Sequence, residues 1–280
     1  MAKGMFVDTS VCIGCKACQV ACKEWNGLAP EPKHFRSDPE TRIVADNFTG
    51  NSYDNTETLS ATDWRHVRFI EQFNEARKGS RWLFSSDSCK HCTDAGCMNV
   101  CPVKAIERTE LGNVVIRQDK CIGTKNCNRG CPYGVAKYSE VSKTSRKCTL
   151  CNDRIHSGLV TACSKACPTG SIRFGDVPEL RKIADSRLAQ LKALGETKAN
   201  IYGYHEAKGL NVFYLLMDKP AVYGLPENPK VPQRPQDLPR IPRVGALDFL
   251  AFGMTAVISF RERGMKDADN VSDNESDNRN

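Results

Sequence analysis

The residues best equipped for chemistry are fifteen cysteines in a chain of 280. They fall into four runs. The first is Cys12, Cys15, Cys18 and Cys22, spaced C-x2-C-x2-C-x3-C. The second is Cys89, Cys92, Cys97 and Cys101, followed by Pro102. The third is Cys121, Cys127 and Cys131, followed by Pro132, with Thr124 where the frame calls for a fourth cysteine. The last is Cys148, Cys151, Cys163 and Cys167, followed by Pro168. Thiolates gathered this way are ligands for soft metals. Disulfide frameworks belong to small secreted chains, and an odd count leaves one thiol over. Zinc sites pair two C-x2-C knuckles or add histidine across a spacer. Here the cysteines come in threes and fours, and histidine is scarce.

The remaining chemistry is iron–sulfur ligation. In the bacterial run C-x2-C-x2-C-x3-C-P, three cysteines hold one cluster and the fourth reaches the other cluster of a pair. The x3 step carries that fourth cysteine to a helix start. A proline placed just after it loses no needed N–H. Gly14, Gly96, Gly123 and Gly130 give the loops freedom to fold against a bulky group. Runs two and three are neighbours in the chain, so runs one and four pair across them. Cluster A then takes Cys12, Cys15, Cys18 and Cys167. Cluster B takes Cys148, Cys151, Cys163 and Cys22. Cluster C takes Cys89, Cys92, Cys97 and Cys131. Cluster D takes Cys121, Cys127 and Cys101, with Thr124 at the vacant corner. Threonine is a poor iron ligand beside thiolate. Three outcomes stay open at D: a [3Fe–4S] cluster, no cluster, or a [4Fe–4S] cluster with a fourth ligand from elsewhere. The first is expected, giving three [4Fe–4S] clusters and one [3Fe–4S] cluster.

Charge agrees with buried anions. Lys and Arg exceed Asp and Glu by 7, which by itself suggests an anionic partner such as nucleic acid. Oxidised [4Fe–4S] and [3Fe–4S] clusters with their thiolates each carry about −2. Four of them sum to roughly −8 and leave the loaded chain near neutrality, so no nucleic acid is expected. The chain has no paired nucleophile and base, no P-loop and no GxGxxG, and is not expected to be an enzyme by itself.

These elements need a scaffold. The expected fold is α+β: two ferredoxin-like units in one chain, the second inserted in the first. Residues 1–84 form the first half of unit 1, with an insertion and a hairpin, and residues 85–140 form unit 2. Residues 141–218 complete unit 1 with an amphipathic helix. An extended Pro-rich arm over 219–245, an apolar helix over 246–263 and a disordered tail over 264–280 follow. Partial alternation over Trp64–Glu71 and the segment Arg81–Phe84 predict two strands joined by a turn. Residues 30–63 read as a polar surface insertion. Asp176 and Pro178 open a helix whose apolar positions are Leu180, Ile183, Ala184, Leu188, Leu191 and Leu194. Asn211–Met217 reads as a buried strand. Ala246–Phe260 would rise only about 22 Å as a helix, short of a roughly 30 Å hydrocarbon core. A short tilted span, an interfacial helix and a packing helix all fit it. His91, inside Cys89–Cys92, is read as a neighbour of the ligands or a surface residue, and the other histidines have no metal spacing. Lys125, Arg129, Arg146 and Lys147 either tune the clusters or are solvated surface charge. MAKGMFVDTSVC has no long apolar run, so no secretory signal is expected.

VDTSVCIGCKACQVACKEWN, KCTLCNDR and ACSKACPTGSIRFG resemble the iron–sulfur beta subunit of membrane-linked formate dehydrogenase. That subunit belongs to the four-cluster ferredoxin subunits of molybdenum or tungsten bis-pterin oxidoreductases. NVFYLLMDKPAVYGLPENP resembles the formate dehydrogenase version in particular. The resemblance implies a relay between a formate-oxidising catalytic subunit and a membrane cytochrome b or quinone-site anchor. It also implies a membrane-associated complex, on the periplasmic face by co-export with the catalytic subunit. CIGTKNC departs from the all-cysteine run of typical formate dehydrogenases and resembles the run of alternative complex III iron–sulfur subunits. The same role in another bis-pterin complex is the rival reading, and a zinc-stabilised scaffold or a free polyferredoxin are rivals of other kinds.

Overall fold

The computed structural model describes residues 1–29, 58–73 and 80–233, with the backbone pairing of Phe35–Arg36 and Val44–Ala45. The chain divides into two units, Met1–Pro235 and Gln236–Asn280, and the second lies outside the described residues. In chain order the elements are β1 (Lys3–Asp8), α1 (Ala17–Trp25), β2 (Phe35–Arg36), β3 (Val44–Ala45), β4 (Arg65–Phe73) and β5 (Ser80–Ser88). They continue with α2 (Gly96–Asn99), β6 (Ile106–Arg108), β7 (Val114–Ile116), α3 (Asn126–Arg129), β8 (Lys137–Tyr138) and β9 (Ser145–Arg146). The last are α4 (Asn152–His156), α5 (Ala162–Lys165), β10 (Ile172–Asp176), α6 (Val177–Ala193), β11 (Asn200–Tyr202) and β12 (Val212–Leu216).

The core is a four-stranded sheet in the order β10-β1-β12-β11. β1 runs antiparallel to β10, with Lys3 opposite Asp176, and parallel to β12, with Met5 opposite Val212. A strand buried on both faces reads as a continuous apolar run rather than an alternation. Val212-Phe-Tyr-Leu-Leu216 is such a run, and all five residues are buried. Phe213 stacks on Phe6 and meets the edge of Tyr204. α6 covers the sheet with Val177, Leu180, Ala184 and Leu191, all buried.

Two details of α6 differ from expectation. Asp176 stands at the N-cap position, but its carboxylate accepts from Lys3 Nζ (3.0 Å) and makes no cap bond. The Val177 N–H donates instead to the carbonyl of Ala2 (3.0 Å). Leu194 falls after the last helical residue and is exposed, and Ile183 is at the rim. The expected hairpin is present and longer: β4 and β5 pair antiparallel from Arg65 opposite Ser88 to Phe73 opposite Ser80.

The start of the Pro-rich stretch packs on its own chain. Pro220–Tyr223 makes a 3₁₀ turn. Tyr223 is buried, shares a hydrogen bond with Thr9 Oγ1 and accepts from the Met217 N–H. Farther along, Asn99 Nδ2 donates to the Pro232 carbonyl (3.0 Å). The remaining arm, the expected apolar helix over 246–263, the tail, and residues 30–57 of the expected insertion apart from the β2–β3 pairing lie outside the described residues. No helix among the described residues is long and apolar enough to cross a membrane.

Two substitutions probe this frame. A Cβ on Gly4 would run into the Asn211 carbonyl and come within 2.7 Å of Val177 Cγ2. Gly4→Ala should therefore destabilise by about 2–3 kcal/mol, read as a lowered Tm of the cluster-loaded protein. Tyr223→Phe strands the buried Met217 N–H and should cost about 1–2 kcal/mol in the same assay.

Candidate iron–sulfur centres

Each run begins with the same backbone device. Its third residue is left-handed: Gly14 (φ 68°), His91 (46°), Gly123 (71°) and Leu150 (62°). Such a turn points successive N–H groups into one concavity suited to an anion. Runs one and three agree further, since Lys16 and Lys125 share φ 61° and ψ 3° at the head of α1 and α3. Cys-Ile-Gly-Cys-Lys and Cys-Ile-Gly-Thr-Lys thus follow one path. Thr124 stands where Cys15 stands in the other copy, and both are exposed.

The folded chain brings the cysteines together in groups drawn from different runs. Cys89, Cys92 and Cys97 line one cavity with Cys131. Cys121 and Cys127 line another with Cys101 and Thr124. The Cys12 thiol has Cys15 and Cys167 as electrostatic neighbours, and Cys18 has Cys12. Cys22 has Cys148, Cys151 and Cys163. Adjacent sets also touch electrostatically: Cys18 with Cys163, Cys148 with Cys89, and Cys97 with Cys127. Burial differs along this series. Cys22, Cys148, Cys151 and Cys163 are all buried, while Cys15 and Thr124 open to the surface at the two ends.

The surroundings fit a bound anionic group. All fifteen cysteines are free thiols. Backbone N–H groups of Ala105, Ser145, Leu150 and Ala162 donate to Cys101, Cys121, Cys148 and Cys151 Sγ at 3.3–3.5 Å. His91 is fully buried and accepts from the Val114 N–H at Nδ1 (3.0 Å). A neutral ring then carries its proton on Nε2, which has no partner and belongs to the wall of the Cys89–Cys131 cavity. Arg65 Nε is likewise buried without a partner. A sulfide of a cluster in the Cys89–Cys131 cavity would give His91 Nε2 an acceptor. By contrast, no three His, Cys, Asp or Glu side chains among the described residues are arranged to hold a single metal ion. Four thiolates on zinc would crowd to ~3.8 Å of one another.

Burial sets the protonation of the metal-free thiols. It pushes Cys18 and Cys151 up to about 11, and Cys97 and Cys148 up to about 12. These thiols give up their protons when a metal replaces them. Cys89 goes down: burial opposes its thiolate, but the N–H of the His91 ring and the Lys147 ammonium outweigh it.

Sequence alone does not place every charge correctly. Lys125 and Arg129 are exposed, as solvated charges should be. Lys147 is buried beside Cys89, Cys97 and Cys148. The alternation marks Arg65 only as a strand residue, yet it is 1% exposed beside Cys18, Cys22, Cys148 and Cys163. The signal is its place on the same face of β4 as Val67, a cation on an inward apolar stripe. Lys90 is also fully buried and carries no sequence signal, held by Asp87 and by the faces of Tyr133 and Tyr214.

Comparison with known proteins follows the same lines. Two family models, each described as a 4Fe-4S dicluster domain, match residues 11–105 and 80–177. The nitrate-inducible formate dehydrogenase iron–sulfur subunit of Escherichia coli is 40% identical over 229 residues, covering 80% of this chain and 72% of that one. Formate dehydrogenase subunit beta of Megalodesulfovibrio gigas is 33% identical over 240 residues, 80% of this chain and 97% of that one. A polypeptide of the anaerobic dimethyl sulfoxide reductase of Escherichia coli is 36% identical over 179 residues, 64% of this chain and 76% of that one. With most of both sequences aligned, this chain belongs to the family of formate dehydrogenase iron–sulfur subunits.

Proposed function

We propose that the chain is the electron-transfer subunit of a formate dehydrogenase complex and carries three [4Fe–4S] clusters and one [3Fe–4S] cluster. Cluster A is held by Cys12, Cys15, Cys18 and Cys167, cluster B by Cys22, Cys148, Cys151 and Cys163, and cluster C by Cys89, Cys92, Cys97 and Cys131. Cluster D is held by Cys101, Cys121 and Cys127, beside Thr124. When bound, these groups supply four one-electron carriers whose potentials follow cluster type, charge, hydrogen bonding and exposure. The observation that carries the reading is the burial gradient. The thiols of B are shut away from solvent, and the corners at Cys15 and Thr124 reach it. A relay needs that shape, with insulated middle carriers and two ends that partners can approach.

The chain's own residues do the remaining work. Left-handed third residues aim N–H groups at the clusters, and burial excludes water from B. The partners proposed are a molybdenum or tungsten bis-pterin catalytic subunit that oxidises formate and a membrane cytochrome b or quinone-site anchor. The bond-making step belongs to the first of these, and this chain is non-catalytic. The complex sits at the membrane, on the periplasmic face by co-export with its catalytic subunit. Thr124 and the similarity to a dimethyl sulfoxide reductase polypeptide support a second reading, the same relay in another bis-pterin complex. The catalytic subunit that co-purifies separates the two.

Low-temperature EPR on the anaerobically purified, oxidised protein tests the cluster set. A near-isotropic signal integrating to about one spin per chain, with about fifteen irons, is expected. Thr124→Cys should abolish that signal, raise the count to about sixteen and lower the potential of D. A silent wild-type spectrum overturns the [3Fe–4S] assignment. About twelve irons would then mean that D is empty, and about sixteen that another group completes it. A zinc-loaded, iron-free sample would overturn the relay itself.

A further inference from the structure

Among the described residues, two buried cations have no Asp or Glu ion pair and lie beside cysteines. The Arg65 guanidinium donates to Ser86 Oγ (2.8 Å) and Ser88 Oγ (3.0 Å), and Nη2 lies 3.6 Å from Met5 Sδ. Ser86 Oγ is in turn 3.2 Å from Cys18 Sγ, and Met5 Sδ is 3.7 Å from Cys163 Sγ. One planar group therefore reaches, through a single intervening atom on each side, a thiol of set A and a thiol of set B. Lys147 repeats the arrangement at the next gap. Its ammonium donates to the carbonyls of Val114 and of Cys148, a member of set B (3.1 Å for Cys148), and it lines the cavity of set C. Among the described residues neither cation has an ion pair with Asp or Glu, whereas buried Lys90 has Asp87.

An unpaired buried charge is costly enough that proteins rarely keep one. Here the compensating charge is the cluster–thiolate assembly on either side. Reduction adds an electron to that assembly, and a fixed cation at short range favours the added charge in a low-dielectric interior. Around set D the nearby Lys125 and Arg129 are exposed, and Thr124 already removes one thiolate's charge.

We propose that Arg65 and Lys147 are shared counter-charges of the A–B and B–C gaps. Arg65 raises the reduction potentials of A and B, and Lys147 raises those of B and C. B is adjacent to both. The inference rests on the four-cluster reading above and deepens it. Neither residue is a ligand, and neither needs to change protonation.

The test is an EPR-monitored redox titration of the purified full-chain complex, with iron counted first. Arg65→Gln should lower two of the three [4Fe–4S] potentials, and Lys147→Gln should lower two, with one cluster common to both. The [3Fe–4S] potential should stay in place. Arg65→Lys and Lys147→Arg keep the charge and should restore most of each shift. Unmoved potentials at full iron content overturn the inference and leave the relay standing. So does an equal shift of all four clusters, or an equal shift in the charge-keeping variants. If a Gln variant fails to load iron, its charge-keeping partner decides: full loading there supports the counter-charge, and equal loss overturns it. A wild type short of about fifteen irons would instead count against the underlying cluster set.

Discussion

Everything in this fold answers to one electrostatic constraint, the gathering of negative sulfur in a space that excludes water. Charge of one sign cannot be concentrated in a low-dielectric interior without an opposing field. The chain supplies that field at three ranges. Nearest are the N–H groups turned inward by left-handed residues such as Gly14 and Leu150. Next are Arg65 and Lys147, held by neutral hydroxyls and carbonyls beside the cysteines. Farthest is the net basic composition of the whole chain. Leu150 and His91 show the strength of the demand. A side chain in the left-handed region costs roughly 1–2 kcal/mol, and the loops accept it where glycine would have avoided it.

Thr124 makes sense against this background. The backbone of its loop copies that of the Cys15 loop, down to the left-handed lysine that starts the following helix. A collapsed metal site would have no reason to keep that path. The loop still presents Cys121, Cys127 and Cys101 to one cavity. What has changed is the residue at one exposed corner; in the proposed relay the difference falls on the end carrier and leaves the interior alone.

Much of this is readable from the residues themselves. The expected cysteine sets rest on spacing: a short loop can wrap only one cluster, and the long-range partners would then follow by exchange. β12 announces itself as an uninterrupted apolar run, and β4 by alternation. What escapes is whatever depends on a distant neighbour. Asp176 has the right position for a cap, but Lys3 arrives from the other end of the chain and takes its carboxylate. Pro220 promises an extended arm, yet Tyr223 needs Thr9 and Met217 to become a buried anchor. Arg65 and Lys147 are easily discounted because cations are usually found at the surface. That prior holds for proteins whose interior is neutral, and it fails around buried thiolates.

The pairing of β1 with β10 has a consequence for how the molecule is made. Lys3 meets Asp176, 173 positions along the chain, and β12, the other neighbour of β1, is later still. At about 5–20 residues per second, a ribosome needs roughly 10–40 s to deliver those partners after the first run has emerged. Over that interval Cys12, Cys15, Cys18 and Cys22 have no completed pocket. Runs two and three lie close together in the chain and can close theirs sooner. The middle of the polypeptide is therefore ready for metal before its beginning is, and the N-terminal thiols are the ones most in need of shelter from oxidation during synthesis.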